Sequence, residues 1–345
     1  MVSAPHRKHR GLRVRALVAL TTGALVATGL LAFGTANAKE PAPDALGPRV
    51  GASAVPKHAV TGYWQNFDNG ATVQTIAEVQ DDYDIIAVAF ADATGVPGQV
   101  DFTLDPALGY SEDAFKEDVA AKQRAGKSVI ASVGGEKGQT RVNDSTSARN
   151  FADSVVRLMD EYGFDGVDID LENGLNSTYM TQALRAVHDA KPDVVVTMAP
   201  QTIDMQSPRN EYFKTALNIK DFLTVVNMQY YNSGSMLGCD GQVYSSGSVD
   251  FLTALACIQI ENGLDPSQVG LGTPASPRAA GSGYVDPGVV NNALDCLAKG
   301  EKCGRFQPDE QWPGIRGAMT WSTAWDASNG NRWSSTVGPH VHGLP

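Results

Sequence analysis

Eight short, apolar, β-branched runs, at 58–67, 85–92, 128–135, 166–173, 194–201, 224–232, 269–276 and 317–326, alternate with amphipathic stretches along this chain. That alternation is the pattern of a parallel sheet covered by helices, because parallel neighbours need a crossover long enough to hold a helix. The stretches at 112–124, 147–162, 178–190 and 249–262 carry apolar residues at three- and four-residue spacing and supply such helices, with another near 287–299. Eight β/α units predict an α/β fold of the closed (β/α)8 TIM-barrel type, with its active site at the carboxyl ends of the strands. An open doubly wound sheet is the alternative, but no glycine fingerprint follows the first run to support a dinucleotide site.

Residues 1–38 read as a secretory signal. A basic leader (Arg7, Lys8, Arg10, Arg13, Arg15) precedes an apolar run from Ala16 to Phe33, and Ala36-Asn37-Ala38 stands before Lys39. The apolar run is just long enough to serve instead as a membrane anchor, but the small-residue cleavage site favours export, with a mature chain starting near Lys39 that is extracellular and free of the membrane. Residues 39–57, rich in Pro, Ala and Gly, read as a flexible lead-in, and 58–345 as one catalytic domain without a separate binding module. Removing the leader takes away five basic residues and no acidic one, moving the net charge from −11 to −16. Nucleic acid and anionic membranes are poor partners for such a chain, whereas an uncharged polymer is indifferent to it. Four cysteines in an exported chain, none in Cys-x-x-Cys spacing, point to disulfides rather than a metal. Of three possible pairings, Cys239 with Cys257 and Cys296 with Cys303 is the expected one.

The fourth run carries the chemistry. In Asp165-Gly166-Val167-Asp168-Ile169-Asp170-Leu171-Glu172, three carboxylates recur at every second position. A strand alternates its side chains, so Asp168, Asp170 and Glu172 share one face and Val167, Ile169 and Leu171 the other. Stacking acids on a buried face is unfavourable and raises their pKa values, which is what a general acid working near neutral pH requires. A calcium loop would not interleave its ligands with Val, Ile and Leu.

This Asp-Gly-x-Asp-x-Asp-x-Glu pattern resembles the catalytic signature of family 18 glycoside hydrolases, the chitinases and their relatives. Other runs resemble the same family. Ser132-Val133-Gly134-Gly135 matches its Ser-x-Gly-Gly element and reads as packing. Met228-Gln229-Tyr230-Tyr231-Asn232 matches the segment that supplies a catalytic tyrosine, and alternation puts Gln229 and Tyr231 on one face, opposite Met228 and Tyr230. Met319-Thr320-Trp321-Ser322 matches the barrel-floor tryptophan, whose flat surface suits a pyranose ring. Tyr63, Gln229, Asn232 and Trp321 are the candidate substrate contacts; Trp64, Trp312, Trp325 and Trp333 either extend the cleft or are packed. His340 and His342 alone have metal-ligand spacing and read as a solvated tail, and the implied chemistry needs neither metal nor cofactor.

With all three acids on one strand, none brackets a sugar ring from the far side as the nucleophile of an ordinary retaining glycosidase does. The resemblance implies that the substrate's own 2-acetamido group attacks the anomeric carbon, with Glu172 as acid and then base. Asp170 would orient the acetamido N–H, Tyr231 would hold its oxygen, and Asp168 would tune Asp170 by sharing a proton with it. The implied function is a secreted, monomeric endochitinase acting on chitin and N-acetylglucosamine oligosaccharides. Only about 40 residues separate the seventh and eighth runs, too few for a large α+β insertion, which suggests an open cleft. Two alternatives use the same residues: an endo-β-N-acetylglucosaminidase of N-glycans, and a non-catalytic carbohydrate-binding protein.

Overall fold

The computed structural model describes residues 55–345; the signal expected at 1–38 and all but the end of the lead-in lie outside the described residues. Strands β1 (Ala59–Gln65), β2 (Ile85–Ala93) and the two-residue β3 (Val100–Asp101) come first. They are followed by α1 (Glu112–Arg124), β4 (Ser128–Gly134), α2 (Ser145–Tyr162), β5 (Gly166–Asp170), α3 (Ser177–Ala190), β6 (Val195–Met198), α4 (Glu211–Asn218) and β7 (Val225–Gln229). A hairpin of β8 (Ser235–Leu237) and β9 (Val243–Ser245) then leads to α5 (Val249–Glu261), β10 (Val269–Pro274), α6 (Pro287–Lys299), β11 (Gly317–Trp321), α7 (Thr323–Ser328) and α8 (Arg332–His342). Eight strands pair in parallel in the order β1-β11-β10-β7-β6-β5-β4-β2, and β2 returns to β1, closing the (β/α)8 barrel.

All eight expected runs contain a barrel strand, and the alternation within them sorts the core into two layers. Val60, Val88, Val167, Ile169, Val196 and Leu271 face outward into a large cluster with the helices, while Tyr63, Ala87, Ile130, Val195, Val225 and Met319 fill the barrel's interior. Burying these side chains on both faces of each strand is what holds a parallel sheet together. Local signals place the crossovers. Asp144 and Ser147 form a reciprocal capping box at the start of α2, and Asp286 caps α6, whose first residue is Pro287.

Two expectations need correction. The last run does not stay extended to 326: it stops at Trp321, because the Ser322 hydroxyl accepts the Trp325 N–H and starts α7. His340 and His342 are not on a solvated tail; they lie on α8, with Nε2 3.0 Å from Asp295 and 2.8 Å from Asp84 respectively. Of the two readings left open for Trp64, Trp312, Trp325 and Trp333, the structure takes packing: all four are buried and belong to the core beneath the helices.

Between β10 and β11 the chain forms α6 and no strand among the described residues, so no α+β insertion stands there. Both disulfides are formed as expected. Cys239–Cys257 ties the β8–β9 hairpin to α5, and Cys296–Cys303 ties α6 to the loop that follows it. Among the described residues no helix is long and apolar enough to cross a membrane.

Candidate active site

The acid strand is built as alternation requires. Asp168 and Asp170 point into the barrel and are almost wholly buried, and Glu172, two residues past the end of β5, is half-buried at the mouth. The turn carrying Glu172 is fixed from two sides. The Leu171 N–H donates to the Tyr212 hydroxyl at 2.5 Å, and the Asn173 side chain donates to the carbonyls of Glu136 and Gly138.

Asp168 sits at the centre of three hydroxyls. Tyr63 and Ser132 donate to its Oδ2, both at 2.7 Å, and Thr197 donates to Oδ1 at 2.6 Å. The register explains the convergence: Asp168 is level with Ser132 on β4 and with Thr197 on β6. Burial pushes the Asp168 carboxyl up and the three donors oppose that shift. Ser132 is therefore more than packing. The glycines beside it do serve close approach: a Cβ on Gly134, whose φ is +127°, would lie 2.1 Å from the Asp170 carbonyl, which accepts the Gly135 N–H at 2.7 Å.

Asp170 has its pKa raised well above the ordinary carboxyl value, first by burial and then by the charges of Asp168 and Glu172. Its Oδ1 accepts from Gln229 Nε2 at 2.8 Å, and the same amide reaches Glu172 Oε1 at 3.3 Å and the Ala199 carbonyl at 3.0 Å. Asp168's two oxygens are taken up by the three hydroxyls, and its charge adds to burial in raising Asp170. Glu172 is raised chiefly by burial, with hydrogen bonds from Gln229 and Gln201 opposing and the charges of Glu136 and Asp204 reinforcing the shift.

Tyr231 lies on the face of Gln229, close enough to all three acids that their charges add to burial in raising its phenol well above the ordinary value. Tyr230 faces away into the core, where its hydroxyl meets Gln259 Nε2 at 3.4 Å. Trp321 is half-buried at the end of β11, within 5.8 Å of Phe90 in a stacked pair and 5.7 Å of Tyr63. It therefore forms the edge of an aromatic group beside the acids.

Two of the expected substrate contacts are differently engaged. Tyr63 is buried, and its hydroxyl is committed to Asp168 from below. Asn232 adopts a left-handed conformation, φ 49°, and exchanges hydrogen bonds with the backbone of Ser282, which ties it to the loop after β10. The residues not anticipated are Thr197, Gln201 and Tyr212. Thr197 could have been found from the register of neighbouring strands; Gln201 shares its period-two spacing but lies beyond the end of β6, and Tyr212 lies on α4 outside the runs.

One half-exposed acid, an orienting amide, two buried acids beneath it and an aromatic edge can together protonate a leaving oxygen and stabilise an adjacent positive charge. The sequence profile of glycosyl hydrolases family 18 matches residues 59–336. Chitinase Chi52 of Paenibacillus xylanexedens is 34% identical over 323 residues, covering 82% of this chain and 61% of its own length. This chain thus spans about three fifths of that relative, and likewise of chitinase D of Niallia circulans, also 34% identical. Among solved structures, one described as a chitinase A from Streptomyces coelicolor is 71% identical, with a TM-score of 0.83, covering 84% of this chain and 99% of that one. A family 18 chitinase from Chromobacterium violaceum is 34% identical, with a TM-score of 0.78, covering 83% and 84% respectively. The chain belongs to family 18 of the glycosyl hydrolases.

Proposed function

We propose that this protein is an exported, endo-acting chitinase that hydrolyses β-1,4 bonds between N-acetylglucosamine units with retention, using the substrate's acetamido group as nucleophile. The observation that carries this reading is the vertical arrangement of the three acids. Only Glu172 reaches the mouth of the barrel; Asp170 is directly behind it on the same strand, and Asp168 is deeper and enclosed by hydroxyls. An ordinary retaining mechanism needs a second carboxylate across the sugar ring, with the two about 5 Å apart on opposite sides of the bond. Acids stacked along one strand do not bracket a ring, so the nucleophile comes from the substrate.

In this scheme Glu172, whose pKa burial raises above the ordinary carboxyl value, gives its proton to the glycosidic oxygen. The acetamido oxygen closes on the anomeric carbon as the leaving sugar departs, forming an oxazolinium ion. Asp170 accepts the acetamido N–H and faces the developing positive charge, while Tyr231 donates to the acetamido oxygen. Glu172, now a carboxylate, takes a proton from the water that reopens the ring. The Gln229 amide holds Asp170 in place, and the charge of Asp168 raises its pKa from behind. Trp321 offers a flat apolar face for the sugar whose bond is cut.

The lone α6 between β10 and β11 leaves the cleft unroofed on that side and supports cleavage within chains. The names of relatives include both modes: an exochitinase 1 from Streptomyces olivaceoviridis at 33% identity and an endochitinase 4 from Metarhizium robertsii at 28%. A mass-spectrometric time course on the N-acetylglucosamine hexamer, beside Glu172→Gln and a fully deacetylated hexamer, tests the whole reading. Dimers, trimers and tetramers from the earliest times, from the acetylated chain alone and with an inert variant, are expected. Disaccharide as the only early product would refute internal cleavage, and turnover of the deacetylated chain would refute substrate assistance. Export is tested separately by sequencing the amino terminus of protein recovered from culture medium, which should begin near Lys39.

A further inference from the structure

Glu172 stands just beyond the reach of its own sheet. β5 ends at Asp170, and the last bonds to its neighbours are those in which the Ile169 carbonyl accepts the Ala199 N–H at 2.9 Å and the Asp170 carbonyl accepts the Gly135 N–H at 2.7 Å. Evenly spaced parallel pairing would next send the Leu171 N–H to the Ala199 carbonyl. That carbonyl instead accepts Gln229 Nε2 at 3.0 Å, and the Leu171 N–H turns to the phenolic oxygen of Tyr212, 2.5 Å away on the first turn of α4. Leu171 and Tyr212 are both buried, so the hydroxyl, rather than solvent, takes the place of the strand carbonyl. The residue before Tyr212 holds the far end of the same segment: Glu211 Oε2 accepts the Ser177 N–H at 2.7 Å, satisfying a donor in the first turn of α3. The Glu211 carboxyl is held down at about 2, chiefly by Lys214 and then by that N–H, so it accepts as a carboxylate across the neutral range.

We propose that Tyr212 and Glu211 are positioning residues for Glu172, a pair at consecutive positions of α4 that fixes both ends of the segment carrying the acid. The helix gives them a firm base. Tyr212, Phe213 and Ala216 are packed into the core, and Asn210 Nδ2, just ahead of α4, donates to the Ile203 carbonyl at 2.8 Å. Within the segment, Asn173 adds a third tie, donating to the Glu136 and Gly138 carbonyls at 3.1 and 2.9 Å. Such fixing matters because proton transfer needs the acid within about 2.6–3.2 Å of the oxygen it serves. The bond from Gln229 Nε2 to Glu172, at 3.3 Å, is too long to hold the carboxyl by itself. The change of acceptor at Leu171 has a second effect: it leaves the Ala199 carbonyl to hold Gln229, whose amide reaches Asp170 at 2.8 Å as well as Glu172. One phenol thus sets the height of the acid and releases the carbonyl that orients the neighbouring amide. Glu211 is exposed, so water can take over part of its task, and Tyr212 carries the larger share.

This inference rests on the acid role proposed for Glu172, and its test separates the two. Tyr212→Phe keeps the packed ring and removes only the hydroxyl. On a chromogenic N-acetylglucosamine oligosaccharide its kcat should fall on the order of ten- to a hundredfold, as follows when a catalytic group is displaced, with KM little changed because Trp321 and Tyr231 remain. Glu211→Ala should lower kcat by a smaller factor, and Glu211→Gln, which keeps an oxygen for the Ser177 N–H, should recover most of that loss. Amide exchange followed by NMR reads the segment without any turnover. In Tyr212→Phe the Leu171 amide should accelerate by a larger factor than those of Val167 and Ile169, which report the strand as a whole. Wild-type kcat in a folded Tyr212→Phe protein would overturn the proposal. So would a lowered kcat with equal acceleration of all three amides, which would assign Tyr212 to the stability of the fold alone. Selective acceleration at Leu171 in an enzyme whose Glu172→Gln variant keeps full turnover would leave the pair holding its segment and remove the acid role of Glu172 instead.

Discussion

The phenolic oxygen of Tyr63, on β1, lies 2.7 Å from Asp168 Oδ2, on β5, and donates to it across the interior of the barrel. Both residues are buried, so water does not replace this contact when it is lost, and Ser132 is left as the donor to that oxygen. Tyr63→Phe keeps the ring that packs against Trp321 and removes only the hydroxyl. Hydrogen bonds to buried charged groups are worth about 1.5–3 kcal/mol, and a loss of stability in that range is expected in urea unfolding. The donor also opposes the upward shift of Asp168, so its removal raises that carboxyl further and moves the acid limb of kcat to higher pH. A variant with wild-type stability and an unmoved acid limb would show that Tyr63 only fills space.

Glu172→Gln retains the side chain's size and its capacity to bond Gln229 and Gln201 but carries no transferable proton. General acid–base groups contribute about 100- to 10,000-fold, and a fall in kcat of at least that order is expected. Binding of the N-acetylglucosamine tetramer, followed by calorimetry, should survive. Loss of turnover and binding together would mean that the variant has disturbed the site rather than the chemistry.

Trp321 is half-buried, and its ring leans on Phe90 and Tyr63, leaving its remaining surface toward the mouth. Trp321→Ala should weaken oligosaccharide binding on the order of tenfold, equivalent to about 1.4 kcal/mol, with Trp321→Phe intermediate. The readout is KM together with calorimetric affinity. An unchanged affinity in a folded alanine variant would assign Trp321 to the core.

How much of this site was legible depends on the distance over which each signal acts. Period-two alternation is a property of one strand, so it correctly separated Asp168 and Asp170 from Val167 and Ile169, and Gln229 and Tyr231 from Tyr230. It says nothing about which residue of a neighbouring strand stands at the same height. Ser132, Asp168 and Thr197 form one row only because β4, β5 and β6 pair in that register, and no single run contains that fact. Tyr63 reads from its strand as a substrate contact, but its depth, which makes it a support beneath the acids, follows from the packing of β1 against its neighbours. The extent of the last strand was misjudged for a local reason: the Ser322 side chain supplies a helix cap, and a hydroxyl cap outweighs the apolar character of Ala324 and Trp325. The histidines near the carboxyl end lacked any sequence cue, since Asp84 and Asp295 lie far from them along the chain.

The buried acids also predict a conflict between activity and stability. Asp170 has a folded-state pKa well above its ordinary value of about 4. Below pH of about 4 the folded and unfolded chains both carry its proton, and the group then costs nothing. As pH rises from there toward the raised folded value, the unfolded chain releases the proton freely while the folded chain must retain it or hold a buried charge beside Asp168 and Glu172. Stability is therefore present in full at low pH and is lost as pH climbs through that window. Asp170→Asn removes the ionisation and keeps an oxygen for the Gln229 amide, so the variant should match the wild type in thermal midpoint near pH 3.5 and exceed it by a margin that widens with pH. Asp168 and Glu172 are present in both proteins and are coupled to Asp170 through charge, so the difference between the two curves reports Asp170 together with that coupling. The same variant should lose nearly all turnover, because asparagine offers no negative charge to the oxazolinium ion. Parallel midpoint curves for wild type and Asp170→Asn would show that Asp170 ionises on folding as easily as in water, and that its burial places no strain on the fold.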